Sequence, residues 1–277
     1  MNAKPLAVGL IATLTHLAQA APVTDESSWN ETYRVSATAP RLIIRNVWGN
    51  VRVRAGAAGE ITVRVEERRS APSRELFEQS RQQLYLDVQA DAAGVELWVG
   101  GQDRDKWSFD HCRGCRVDYQ FDVSVPPGTQ VDVSTVDDGA IDVAGASGVV
   151  SANNVNGPVA VSNLNDCGEI ESINGTVELA FAQSPSRNCS IKTINGDIAL
   201  TIPPAAGLDV ALSIAHGRID SEFDLDPLAL PAKVETTRRN GQYIYHVAQA
   251  AGVRLGAGGA TFDIASLNGD VRIHKGK

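Results

Sequence analysis

Between Val123 and Glu222 the sequence holds one aromatic residue, Phe181, and from Asp122 to Asp224 it sets fourteen Asp and Glu against three basic residues, Arg187, Lys192 and Arg218. The first scarcity removes the stacked aromatic wall that a sugar-processing groove would need there; Trp29, Trp48, Trp98 and Trp107 all lie earlier. The second leaves no basic stripe, which argues against nucleic acid and against an anionic membrane surface as partners. Arginines gather instead near the start, at Arg64, Arg68, Arg69, Arg74 and Arg81, balanced by acids, and read as a solvated face. After the N-terminal segment no apolar run is long enough to span a bilayer. The first cysteine is Cys112, so no lipid-attachment motif is visible.

What the chain has in abundance is one short phrase: an apolar residue, Asn, Gly, then alternating branched residues. It reads Val155-Asn156-Gly157, Ile173-Asn174-Gly175, Ile194-Asn195-Gly196 and Leu267-Asn268-Gly269, with degenerate copies at Val47-Trp48-Gly49, Val136 to Val143 and His216-Gly217. Gly139, Gly157 and Gly175 are 18 residues apart, and Gly175, Gly196 and Gly217 are 21 apart. Such a period points to stacked β-coils, each needing neighbours to cover its apolar face. The expected fold class is therefore all-β, with parallel β-helix or solenoid-like coils. In Val177-Glu178-Leu179 and Ile198-Ala199-Leu200 the branched residues face inward, and Ile170 and Ile191 take a second strand of their coils. Asn before Gly is expected to supply a positive-φ corner.

The first residues, Met1-Asn2-Ala3-Lys4, an apolar run from Leu6 to Leu17 and the small-x-small end Ala18-Gln19-Ala20, predict a signal peptide over 1–20. The mature chain then divides into an N-terminal β region, 22–122, and a repeat region, 123–277, continuous with it. Alternation marks strands at Glu31 to Ala37, Arg41 to Arg45, Val51 to Arg54 and Glu60 to Glu66. One inserted helix is expected over 73–84: Ser73 caps it after Pro72, and Leu76, Phe77, Ser80 and Leu84 share a face. Strands return at Tyr85 to Val88, Val95 to Val99 and Val117 to Val125, the last ending at Pro126-Pro127-Gly128. Val234 to Val247 predicts a hairpin turning at Asn240-Gly241. Gly252 to Ile273 returns to the repeat and is expected to close the array.

The run Val117-Asp118-Tyr119-Gln120-Phe121-Asp122-Val123-Ser124-Val125-Pro126-Pro127-Gly128-Thr129, followed by Val131 to Val136 and the Asn-Gly copies, resembles the bacterial adhesin-like family DUF4097. The upstream helix and the closing Gly256-Ala257-Gly258-Gly259 to Asn268-Gly269-Asp270-Val271 fit the same pattern. The resemblance implies a parallel β-helix-like fold in an exported protein with a role in adhesion. It carries over no catalytic residues. The four cysteines and Val136-Asp137-Asp138-Gly139 depart from the pattern.

His111-Cys112-Arg113-Gly114-Cys115 is the most reactive-looking string. A redox role would place Cys112 at a helix N-terminus, yet a strand follows. His111, Cys112 and Cys115 fall short of the tetrahedral set that zinc takes. The plain reading in an exported chain is a local disulfide, with metal and redox roles as alternatives. Cys167 and Cys189 lie about one period apart, so a bridge between adjacent coils is expected, although aligning the copies leaves them one residue out of register. Acids at Asp137, Asp138, Asp142, Asp166, Asp197 and Asp270 sit in or beside turns, where Asp serves local hydrogen bonding. Calcium there would lack the glycine-rich nonapeptide signature. No catalytic, cofactor-binding or metal residues are expected. The favoured function is a periplasmic or secreted, non-enzymatic adhesin-like module that meets an envelope or surface component. The alternative is an enzyme of the β-helix lyase or hydrolase type, and a cleft joining Trp98 or Trp107 to paired coil carboxylates would favour it.

Overall fold

The computed structural model describes residues 21–100, 112–229, 233–239, 242–248 and 251–277, with side chains described outside 230–250. The expected signal segment 1–20, His111 and Trp107 lie outside the described residues. The chain begins with β1 (Val23–Arg34), β2 (Arg41–Arg45), β3 (Val51–Ala55) and β4 (Glu60–Ala71), followed by the one helix, α1 (Arg74–Gln83). Ser73 caps it by accepting a hydrogen bond from the Leu76 N–H, while Phe77 and Ser80 are buried. Then come β5 (Leu86–Asp91), β6 (Gly94–Val99) and β7 (Arg116–Val125).

From there strands alternate between two sheets. One receives β9 (Ile141–Ala144), β11 (Val159–Leu164), β13 (Val177–Phe181), β15 (Ile198–Ile202) and β17 (Ile219–Ser221). The other receives β8 (Gln130–Thr135), β10 (Val149–Asn156), β12 (Asp166–Asn174), β14 (Cys189–Asn195) and β16 (Leu208–His216). β18 (Leu225–Leu228) and β21 (Ala251–Leu255) flank a hairpin, β19 (Lys233–Arg239) and β20 (Gln242–Ala248), and the chain ends with β22 (Ala260–Asn268) and β23 (Val271–Lys275). The two large sheets run β1-β4-β7-β3-β9-β11-β13-β15-β23-β17 and β18-β21-β16-β22-β14-β12-β10-β8-β2-β6-β5.

Both sheets are mixed. Repeat strands pair parallel in strict register, Val159 with Val177 with Ile198 and Asn174 with Asn195 with Asn268. The N-terminal β1, β4 and β7 pair antiparallel, as do β5 with β6 and β21 with β16 and β18. Inward Val, Ile and Leu from both sheets, among them Leu42, Val53, Ile170, Ile191, Leu200 and Ile264, make one buried core. The pattern puts alternate residues on that face because a strand's side chains alternate sides.

One expectation is corrected. The C-terminal copy does not close the array at its end: β22 and β23 lie between the Ile194 and His216 copies, so Val271 pairs with both Ile198 and Ile219. Each copy presents similar backbone edges above and below, so it can fit between two others as readily as outside them. The hairpin expected at Val234 to Val247 is present as β19 and β20, with Asn240-Gly241 outside the described residues.

Candidate functional site

The Asn-Gly edge is built from three columns. In the glycine column the backbones of successive copies nearly touch. A Cβ placed on Gly157, Gly175, Gly196 or Gly269 would lie 2.0–2.1 Å from the carbonyl oxygen of the preceding glycine in the stack. This corrects the corner reading in part: Gly157 and Gly269 have φ of 156° and 155°, near the extended region, whereas Gly175 and Gly196 have none in the left-handed range and neither do the Asn residues of the ladder. Glycine is needed there because any side chain would occupy the neighbouring backbone. Where Val136-Asp137-Asp138-Gly139 carries an extra residue, Asp138 absorbs it at φ 51°.

The second column is an amide ladder. Asn156 Nδ2 donates to Asp137 Oδ1 at 3.1 Å, Asn174 to Asn156 at 2.8 Å, Asn195 to Asn174 at 2.7 Å and Asn268 to Asn195 at 2.8 Å. Two residues before each ladder position stands a small polar residue, buried, that reaches a glycine carbonyl. Thr135 bonds Gly49 at 3.1 Å, Asn154 bonds Gly139 at 2.8 Å and Ser172 bonds Gly157 at 2.9 Å. These groups supply hydrogen bonds to the closely packed glycine carbonyls, the Gly49 carbonyl accepting from Asn46 Nδ2 at 3.0 Å as well. Sequence reading missed this column, though Thr135, Asn154, Ser172, Thr193 and Ser266 recur at fixed offset from the repeat's Asn.

The third column is apolar and faces outward. Ile173, Ile194 and Leu267 stand side by side in β12, β14 and β22 and are 40 %, 42 % and 48 % exposed. With Leu212, Ile214 and Ile219 they line an open hollow of about 830 Å³. Lys192 at its rim is held by Glu171 at 2.8 Å and Glu169 at 3.2 Å.

Five of the fourteen acids of the repeat region are paired with arginines that sequence position places elsewhere. Arg45 grips Asp132 with two bonds of 2.6 and 2.9 Å, and Arg54 grips Asp142. Arg116 reaches Asp138 at 2.7 Å, Arg254 reaches Asp209 at 2.6 Å and Arg272 reaches Asp197 at 2.7 Å. The Asp270 N–H and then Arg272 hold the Asp197 carboxyl below its ordinary range, and Arg254 does the same to Asp209. Asp166 accepts the Ser186 and Arg187 N–H groups at 2.7 and 3.1 Å. Turn acids thus serve corners and ion pairs. Trp98 lies opposite Arg45, the residue that engages Asp132. Among the described residues no three His, Cys, Asp or Glu are grouped to hold a metal ion.

The four cysteines fall into two pairs at disulfide distance. Cys112 and Cys115 have Cα atoms 5.4 Å apart, packed against α1 with both sulfurs near the Leu76 carbonyl oxygen. Cys167 and Cys189 have Cα atoms 5.3 Å apart, and both are buried. The one-residue offset between them is absorbed by a bulge. Val150 lies opposite Cys167 but Ala152 opposite Ile170, so β12 carries one extra residue and Cys167 and Ile170 are both buried. Gly168 fits there because a Cβ would lie 2.6 Å from the Ser151 hydroxyl oxygen.

No family model matches the chain, so the resemblance to DUF4097 rests on its motifs alone. No curated protein matches it either. Four chains of solved structures do. One is a putative cell adhesion protein from Clostridium sporogenes ATCC 15579, with 10% sequence identity and a TM-score of 0.43, over 90% of this chain and 100% of that one. Likeness at that level assigns nothing here. No helix among the described residues is long and apolar enough to cross a membrane.

Proposed function

We propose that the chain is an exported, non-enzymatic adhesin-like module in which a two-sheet β-solenoid presents a contact surface to an envelope component. The observation that carries this reading is the outward row Ile173, Ile194 and Leu267, where large apolar side chains are gathered on one face instead of scattered. Contiguous exposed apolar surface with polar neighbours is characteristic of interaction sites. Three features support the architecture: alternation of strands between two sheets, parallel in-register pairing of copies, and the glycine column that sets their spacing. The two cysteine pairs at disulfide distance, Cys112 with Cys115 and Cys167 with Cys189, support an extracytoplasmic setting, and the signal segment expected from the sequence agrees with it.

Capture from solubilised envelope fractions, with and without calcium, tests the reading. Wild-type protein is expected to retain an envelope component that Ile173→Asn with Ile194→Asn loses, at unchanged melting temperature. Equal capture by both, or capture that depends on calcium, would count against the row as the contact.

A further inference from the structure

At the other end of the two sheets from β16 and β17, their outermost strands β1 and β5 leave a cleft of about 240 Å³. Along β4 the inward residues are Ile61, Val63 and Val65, all buried, and then the pattern turns polar with Glu67 and Arg69. These two form the floor. The Arg69 side chain is only 4 % exposed and is fixed on three sides, by Glu67 at 2.8 Å, the Ser80 hydroxyl at 3.1 Å and the Leu84 carbonyl at 2.7 Å. Tyr119 lies beside them, its phenol pushed well above its ordinary range by burial and then by the Glu67 charge.

The walls are different. Trp29 and Tyr85 are half-buried and present aromatic surface, and Asp25 and Arg81 stand exposed at the mouth. None of these four side chains makes a hydrogen bond within the described residues. The Arg81 guanidinium carbon lies 6.0 Å from the centroid of the Phe77 ring, which leaves its N–H groups at the mouth without a hydrogen bond among the described residues. A rigid, satisfied floor with such donors and acceptors above it is the arrangement of a preformed binding site. Lining charges cancel, Asp25 and Glu67 against Arg69 and Arg81, so the site has no preference for an ion. Aromatic surface flanked by paired donors and acceptors matches a ring with an apolar C–H face and an equatorial belt of hydroxyls. The cleft is smaller than the roughly 300–1,000 Å³ of drug-sized pockets, so it holds one ring and not a chain.

We propose that this cleft is a binding subsite for a single neutral hexopyranose. It extends the envelope-contact reading to a saccharide ligand, yet its test uses purified protein and pure sugars, so it stands or fails separately from the capture experiment. Saturation-transfer NMR on the full chain would be run with glucose, galactose, N-acetylglucosamine and their methyl glycosides, and with acetate and glycine as charged controls. At least one sugar is expected to bind saturably with a Kd of about 1 mM. Trp29→Ala should weaken it at least about tenfold and the exposed Asp25→Ala about fivefold, the latter without loss of fold. Ile194→Asn, in the apolar row, should leave it unchanged. Binding of free sugar but not its methyl glycoside assigns a soluble sugar; binding of both assigns a glycan end. No saturable sugar signal, sugar binding indifferent to both Trp29→Ala and Asp25→Ala, or tighter binding of acetate or glycine would overturn the proposal.

Discussion

The antiparallel N-terminal strands and the Asn-Gly ladder solve one problem, holding β-strands side by side, with different chemistry. Across the antiparallel pair β4 and β7 and on to β3 and β9, which continue it in parallel, the outward residues alternate in charge, Arg64 beside Asp122 beside Arg52 beside Asp142, and β7 turns the large Tyr119 and Phe121 inward with rings 6.1 Å apart. In the ladder the contact is backbone against backbone, and side chains add small amides and hydroxyls. The outward charge pairs tolerate change in any one of them because long, solvent-facing side chains can adjust. A glycine column cannot adjust, since its neighbour is a carbonyl group.

Glycine substitution should therefore separate the regions most strongly. Gly196→Ala is expected to cost about 4 kcal/mol or more, or to prevent accumulation of folded protein, because the new Cβ would meet the Gly175 carbonyl at 2.1 Å. Gly59→Ala, at φ +79° with its nearest contact at 3.8 Å, should cost about 1 kcal/mol. Urea denaturation of the two variants makes the comparison. At the N-terminal end the largest single effect belongs to Arg69→Ala, which removes the partner of the Glu67 carboxylate and the Leu84 carbonyl and leaves the Ser80 hydroxyl with its bond to the Phe77 carbonyl alone. A loss of about 3 kcal/mol is expected, with α1 losing its protection from hydrogen exchange first.

The cysteines sharpen the same contrast. The Cys167→Ser, Cys189→Ser double variant should lose about 3 kcal/mol, because the bridge closes a loop of some twenty residues. Opening Cys112–Cys115, only three residues apart, should cost about 2 kcal/mol at most. Peptide mapping without reductant checks the connectivity, and a Cys112 to Cys167 link would contradict it. Smaller still is Asn195→Ala, which removes two exposed hydrogen bonds of the amide ladder and should cost about 1 kcal/mol.

Acid should act weakly on both regions. Asp197, Asp209 and Glu222 have carboxyls held below their ordinary values, Glu222 by the Lys275 N–H and then His274. The unfolded chain takes up protons at these positions first, so their contribution is full above a pH of about 4 and fades as pH falls below it. Thermal melts between neutral pH and pH 3 would show this, with Asp197→Asn flattening part of the slope. Glu178→Lys, on an outward ladder position, should change stability by less than about 0.5 kcal/mol.

The local features were legible because local pattern determines them. Ser73 before a helical stretch, the alternation of Val177 to Leu179 and the Arg239–Gln242 hairpin closure all depend on residues close in sequence. The spacing of Cys167 and Cys189 was legible as well; the bulge at Gly168 that makes it work was not. Less visible was anything joining distant segments. Arg45 meets Asp132 and Arg272 meets Asp197 across 87 and 75 residues, so an acidic stretch read alone overstated the charge of the surface it forms. The place of β22 and β23 was hidden because every Asn-Gly copy offers similar partners to every other. The N-terminal cleft was hidden because Trp29, Glu67, Arg81 and Tyr119 belong to no shared motif.

Amide hydrogen exchange on the full chain, resolved to peptides covering β14, β22 and β16, tests the central architectural claim most directly. If the C-terminal copy lies inside the array, residues 260–268 and 271–275 should be as strongly protected as 189–202, while 233–239 and 242–248, which pair only with each other in a two-stranded sheet, exchange sooner. Rapid exchange throughout 260–275 beside a protected 189–202 would contradict the account.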